Sequence, residues 1–338
     1  MIDPVDENSK IEPAYLPWHR PLLNQLLSLK QQQRLPHAIL IDASSEIGGA
    51  EFIWHLAMLL LCDDATDAVP CGECHSCHLM LANTYPDFKY VRLLYDDKKK
   101  KINKNIKIEQ IRKLIYEANL TTSYNKLNIF AIHPADKMNI ESANSLLKTL
   151  EEPGAQVLIL LMTSRKGKLP VTVRSRCQIW PLDHPKNEEA QYWLLGQGMD
   201  TEDIDQYLEY AGGDPQLAQK LKSEDYAGVV NQFKQQFTQY LKNEIDVSIL
   251  ASKLVSNGAP LVRRLIKMAI DAYCYQLCGL NAKKNTQPDL QKEAAQSAIA
   301  LSGQVNQQLM VEENNLNFQL QLEDVLISLK QIVKRSKH

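Results

Sequence analysis

The most informative features of this 338-residue chain are things it does not have. No apolar run approaches the ~20 residues of a membrane-spanning helix, and the opening MIDPVDENSK has neither the basic start nor the apolar stretch of a secretory signal. A cytoplasmic protein without a membrane partner is expected. Excess charge of either sign is also missing: 38 Lys and Arg against 40 Asp and Glu leave a net charge of −2. A global nucleic-acid footprint is thereby excluded, so any DNA contact must be local or shared with partners. Internal repeats are absent. With 44% hydrophobic and 23% charged residues, neither a disordered nor a collagen-like chain fits, and the length suits two or three globular domains.

Strands are confined to the first half. Residues 37–62 read as strand, small-residue turn and amphipathic helix, 108–119 as a helix and LNIFAI (127–132) as a strand. In ESANSLLKTLEEP (141–153), Ala143, Leu146, Leu147 and Leu150 form one helical stripe that Pro153 stops. QVLILLMTS (156–164) is a near-continuous apolar strand of the kind buried on both faces of a parallel sheet. Beyond PLDHP (181–185) strands vanish, and short helices punctuated by Gly198 and Gly212–Gly213 give way to longer Gln- and Leu-rich helices.

Cys62, Cys71, Cys74 and Cys77 form a C-x8-C-x2-C-x2-C array. Two intervening residues let two thiolates converge on one ion across a tight turn, and four thiolates complete the tetrahedral shell of Zn²⁺. In a cytosolic chain this spacing favours metal over disulfides. With four protein ligands no position is left for substrate water, so structural Zn²⁺ is expected. His75 and His78 lie inside the array as substitutes that the cysteine count makes unnecessary.

Equally telling is a missing lysine. A working phosphate loop follows G-x-x-x-x-G-K-[ST]: backbone amides cradle the phosphates, Lys reaches the β and γ groups, and the hydroxyl holds Mg²⁺. The same frame after the first strand holds Ala43, Gly48, Gly49 and Ala50. Both the charge and the metal-binding hydroxyl are gone, and no bound ATP is expected.

Several stretches occur in an order that resembles the clamp-loader branch of the AAA+ superfamily, across roughly residues 14–335. They are LPHAIL (35–40), the cysteine insert after the first helix, ANSLLKTLEEP (143–153), LPVTVRSRC (169–177) and the tail LQLEDVLISL. The resemblance implies a P-loop-like α/β AAA+ domain over 14–181 with a zinc-binding insert at 62–78. A small helical lid domain (182–224) and an all-α C-terminal collar or oligomerisation domain (225–338) would follow, with residues 1–13 as an N-terminal extension. In ATP-hydrolysing relatives an Asp-Glu pair ends the strand that here reads NIFAI; His133 and Pro134 stand there instead. GGDPQLA (212–218) likewise lacks a γ-phosphate-sensing arginine, with Pro215, Gln216 and Leu217 in its place. The family's Ser-Arg-Cys motif falls on Ser175, Arg176 and Cys177, implying that Arg176 acts in trans as an arginine finger on an adjacent ATPase.

The implied partners are the ATPase subunits and the clamp-opening delta subunit of a hetero-oligomeric ring, with the sliding clamp and primed DNA reached through the assembly. Such a chain is a non-hydrolysing accessory subunit of the replicative polymerase. Two rivals stay open: an atypical ATPase that binds nucleotide through Gly48, Gly49 and backbone amides, and a zinc-dependent DNA-binding adaptor. The adaptor would use the insert and the basic run DDKKKKINKNIK (96–107), which otherwise reads as a solvated loop. Arg174 is a weaker finger candidate, and Glu151 and Glu152 read as a solvated helix end.

Overall fold

A computed structural model describes residues 16–43, 48–96, 101–118, 120, 122–124, 126–256, 259–277, 303 and 318–335. The expected extension at 1–13 lies outside these, as do residues 44–47 of the small-residue turn and 97–100 of the basic run. The chain divides into two compact units, residues 2–220 and residues 221–338.

The first unit is built on five parallel strands in the order β2-β5-β6-β1-β7. These are β1 (Ala38–Ala43), β2 (Phe88–Val91), β5 (Asn128–Ile132), β6 (Val157–Thr163) and β7 (Gln178–Leu182). Their period of two sorts side chains into two cores. Ile39 and Ile41 of β1, Ile129 and Ala131 of β5, and Leu158 and Leu160 of β6 face one core. Leu40, Phe130, Ile132, Ile159 and Leu161 face the other. With both faces covered, β6 is buried along its whole length, and each fully buried aliphatic side chain contributes ~1.5–3 kcal/mol.

Helices α1 (Arg20–Gln31), α2 (Gly49–Leu61) and α3 (His75–Leu81) supply the first core. Helices α4 (Ile108–Ala118), α5 (Ile140–Glu151) and α6 (Val171–Arg174) supply the second. The amphipathic helix expected after the first strand is instead apolar around its whole circumference: every residue from Phe52 to Leu61 is buried. The reason is a second layer. Leu22, Leu23, Leu26 and Leu27 of α1, Cys62, Ala68 and Cys77 of the insert and Met80 of α3 share its core, and His55 Nε2 lies 2.9 Å from the Ala68 carbonyl.

The basic run also departs from a plain solvated loop. Tyr95–Asp96 (β3) pairs antiparallel with Lys101–Ile102 (β4), and Ile106 is fully buried, so apolar residues anchor the run at its base. Helices α7 (Asn187–Gly196) and α8 (Thr201–Ala211) follow the sheet, with Gly212 in the left-handed conformation ending α8. Next comes α9 (Pro215–Ser223), where Asp214 Oδ1 accepts from the Leu217 amide at 3.0 Å.

In the second unit the described elements are helical: α10 (Tyr226–Leu241), α11 (Val247–Val255), α12 (Ala259–Leu277) and α13 (Phe318–Arg335). Leu250, Ala251 and Leu254 of α11 are buried, as are Leu322, Val325, Leu326 and Leu329 of the α13 that packs on it. Lys330 of α13 donates to the Tyr240 carbonyl at 2.6 Å, its ammonium 3.8 Å from the Tyr240 ring centroid.

Candidate functional site

Three sequence-marked places carry chemistry, all in the first unit. At the cysteine insert, Cys62 ends α2, Cys74 caps α3 and Cys77 sits in the first turn of α3. The four sulfurs lie within 4.8 Å of one another and could hold a metal ion. Neighbouring sulfurs are 3.4 Å (Cys62–Cys71), 3.9 Å (Cys71–Cys77) and 4.0 Å (Cys74–Cys62) apart. A tetrahedron with Zn–S of about 2.3 Å requires edges of about 3.8 Å. Backbone amides prime the sulfurs as anions: Cys71 N donates to Cys62 Sγ and Cys74 N to Cys71 Sγ, both at 3.3 Å, and Cys77 N to Cys74 Sγ at 3.4 Å. Gly72, at φ +77°, makes the turn.

Hydrogen bonds from the Cys74 and Glu73 amides bring the Cys71 thiol down to about 7, whereas burial pushes the Cys62 and Cys77 thiols up. A divalent cation is the charge that would hold those buried thiols as thiolates. Lys126 closes the site from outside: Nζ donates to the Leu61 carbonyl at 3.1 Å and Ser76 Oγ at 2.8 Å, and pairs with Asp63. Its ammonium ties the end of α2 to the start of α3, the two helix ends that carry Cys62 and Cys77. Lysine at 126 carried no sequence signal. His75 turns away to Tyr124, with Nε2 3.4 Å from the phenol oxygen, and neither His75 nor His78 joins the four-sulfur group.

The phosphate turn is a different environment. Ala43 ends β1, Gly48 is left-handed at φ +76°, and α2 starts at Gly49, followed by Ala50. The N-terminus of a helix is ordinarily an anion site. Here side chains crowd it: a β-carbon on Gly48 would lie 2.2 Å from Leu16 Cδ1, 2.9 Å from Gln216 Oε1 and 3.2 Å from His19 Cε1. One on Gly49 would lie 3.0 Å from Met162 Cε and 3.2 Å from His133 Cε1.

His133 follows β5, where its Nδ1 is 3.0 Å from the Tyr90 phenol. Burial pushes the imidazole down to about 4 and keeps the phenol protonated, so two neutral groups share this hydrogen bond. The nearby carboxylates are engaged as well. Asp136 Oδ1 accepts from Thr163 Oγ1 at 2.7 Å, and Asp42 pairs with Lys166 at 2.5 Å.

The third place is the corner after α6. Val173 is buried and pins the short helix, while Ser175 Oγ donates to the Thr172 carbonyl at 3.2 Å. Cys177 packs against the second core, and burial pushes its thiol up to about 12, so it serves as packing rather than as a nucleophile. Arg174 directs a buried Nε inward. Arg176 instead stays at the surface, its side chain 32% exposed. Its Nε donates to Glu151 Oε1 at 2.7 Å, its Nη1 to the Thr172 carbonyl at 2.8 Å, and its Nη2 pairs with the same Glu151 oxygen. Glu151 is thus no merely solvated helix end, because the turn after α6 brings a guanidinium onto it.

A parallel α/β domain with a phosphate-loop frame and a four-cysteine insert fits a clamp-loader-type AAA+ protein. The family model described as "DNA polymerase III, delta subunit" matches residues 18–186. DNA polymerase III subunit delta′ of Haemophilus influenzae is 30% identical over 238 residues, 70% of each chain. Subunit delta′ of Pseudomonas aeruginosa is 31% identical over 250 residues, 73% of each. Among solved structures, a DNA polymerase III gamma subunit-related protein from Thermotoga maritima gives a TM-score of 0.46 at 16% identity, covering 92% of this chain and 99% of that one. The chain belongs to the delta-prime family of DNA polymerase III subunits.

Proposed function

We propose that the chain is a non-hydrolysing clamp-loader subunit that supplies Arg176 in trans to the ATP site of an adjacent subunit. The observation that carries this reading is the contrast between the Gly48–Gly49 step, crowded by Leu16, His19, Gln216 and Met162, and the guanidinium that Arg176 keeps at the surface. A guanidinium delivered to a neighbour's γ-phosphoryl group neutralises charge that develops in the transition state, an effect worth ~10³–10⁵ in rate in arginine-finger systems. Ser175 shapes the turn and Cys177 anchors it.

Structural Zn²⁺ would be held by Cys62, Cys71, Cys74 and Cys77, with Lys126 tying the two helix ends that carry Cys62 and Cys77. It would hold the insert against α2 and supply no reaction step. Residues 182–224 serve as the lid and 225–338 as the collar through which the chain joins its ring. Through that ring, with its ATPase subunits and delta subunit, the chain helps load the sliding clamp onto primed DNA.

Steady-state ATP hydrolysis by the reconstituted loader, with clamp and primed DNA present, tests the reading. Arg176→Ala is expected to cut turnover while size-exclusion chromatography shows the complex intact. The isolated chain is expected to bind Mg²⁺-ATP no tighter than about 1 mM in Kd. Unchanged turnover removes the finger, and micromolar nucleotide binding revives the atypical ATPase.

A further inference from the structure

We propose that Glu151 is the positioning residue of Arg176, fixing the guanidinium so that two of its N–H groups point outward to receive a neighbour's phosphoryl oxygens. The inference rests on the arginine-finger reading above.

A guanidinium carries five N–H donors in a rigid plane. Nε and Nη2 donate to Glu151 Oε1, which occupies one edge of the fork, and Nη1 gives one N–H to the Thr172 carbonyl. Three donors are then committed and two remain, one on each terminal nitrogen. Two N–H groups are what an arginine uses to grip a phosphate by two parallel hydrogen bonds. The acceptors orient the plane and still leave one N–H on each terminal nitrogen.

Both acceptors sit on rigid ground. Glu151 is the last residue of α5, and the carbonyl just before it, that of Leu150, accepts from His37 Nε2 at 2.9 Å. His37 is itself held in the sheet, its carbonyl accepting from Ile159 N at 2.8 Å. Leu150, next to Glu151, and Val173, next to Thr172, are buried in the same core. His37 belongs to the LPHAIL stretch, and through it that stretch fixes the end of α5 that carries the glutamate.

Stability is a poor explanation of the pair. Glu151 and Arg176 are 49% and 32% exposed, and an ion pair of that kind adds little to folding. A carboxylate at a helix C-terminus is mildly unfavourable besides. Orientation is the explanation left. A long side chain otherwise samples many rotamers, and an electrostatic catalyst acts best when it needs no reorganisation during the reaction.

The test is a mutant cycle in the reconstituted loader, reading kcat and KM for ATP at verified assembly. Glu151→Ala is expected to lower kcat by about tenfold with KM little changed, because the finger is present but misaligned. Glu151→Gln, which keeps the acceptor oxygen, should recover most of the loss. In the Arg176→Ala background, Glu151→Ala should do nothing further. A fall with Arg176→Ala but none with Glu151→Ala overturns the positioning role and leaves the finger standing. A rise in kcat with Glu151→Ala also overturns it, since the glutamate would then restrain the arginine rather than aim it. No effect of Arg176→Ala removes both.

Discussion

The Gly48–Gly49 turn and the Arg176 corner are both products of one parallel sheet, yet they are opposite in character. At the first, a helix N-terminus that could bind an anion is packed by Leu16, His19, Met162, His133 and Gln216, and the nearby carboxylates are tied to Thr163 and Lys166. At the second, a charged side chain is kept at the surface, with its donors only partly used. The difference is one of packing: neighbouring side chains crowd the glycines of the first, and the second keeps a guanidinium at the surface. The same sheet holds α5 and α6, and between them Glu151 and the Thr172 carbonyl take three of the donors of Arg176.

The largest expected effect falls on the cysteine insert, which shares the core of α2. Cys77→Ser should abolish zinc retention, measured by atomic emission, and lower Tm by ~10 °C or more. Loss of several kcal/mol at about 2–4 °C per kcal/mol gives that scale. Full stability with no metal bound would detach the cysteine cluster from the fold. Next, Gly48→Ala puts a methyl group 2.2 Å from Leu16 Cδ1 at a left-handed position. Urea unfolding should show a loss of about 1–3 kcal/mol, and an unchanged midpoint would mean that the turn is not crowded.

His133 gives a pH signature. The fold holds its imidazole neutral down to about 4, against 6.5 for the unperturbed group. Between those values the unfolded chain takes up a proton that the fold refuses, so stability falls as pH is lowered from 6.5 towards 4. His133→Gln should flatten that part of the slope in urea midpoints measured at pH 7 and pH 5; parallel slopes would show that the ring titrates freely. The smallest effect belongs to Glu152, the exposed neighbour of Glu151. Glu152→Ala should change stability by no more than ~0.5 kcal/mol and leave turnover intact, and a turnover loss matching that of Glu151→Ala would blur the comparison.

Much of this is legible in the sequence. The apolar runs at 127–132 and 156–164 announce strands buried on both faces, and the C-x2-C-x2-C spacing announces the sulfur cluster, because both patterns are local. The sequence also shows directly that Gly49 stands where a phosphate-loop lysine would, and that His133 and Pro134 follow the strand where acids would. What crowds the two glycines is not legible. Leu16, Met162 and Gln216 are far apart in the chain and meet at Gly48–Gly49 only through the fold. The same holds for Lys126 beside the cysteines and for Glu151 beside Arg176, which is 25 residues away. The full burial of α2, where periodicity suggests an amphipathic helix, escapes the sequence for a related reason: its second cover comes from α1 and the insert, which the pattern within the helix does not reveal.

The most direct measurement is the rate of γ-phosphate cleavage in a single turnover. The assembled loader, with ATP already bound, is mixed with clamp and primed DNA and quenched over milliseconds to seconds. With Arg176→Ala, ATP occupancy should stay the same while cleavage of the ATP beside this chain slows by ~10³ or more. Cleavage at the parental rate in an intact assembly would contradict the account and reduce the chain to a purely structural member of its ring.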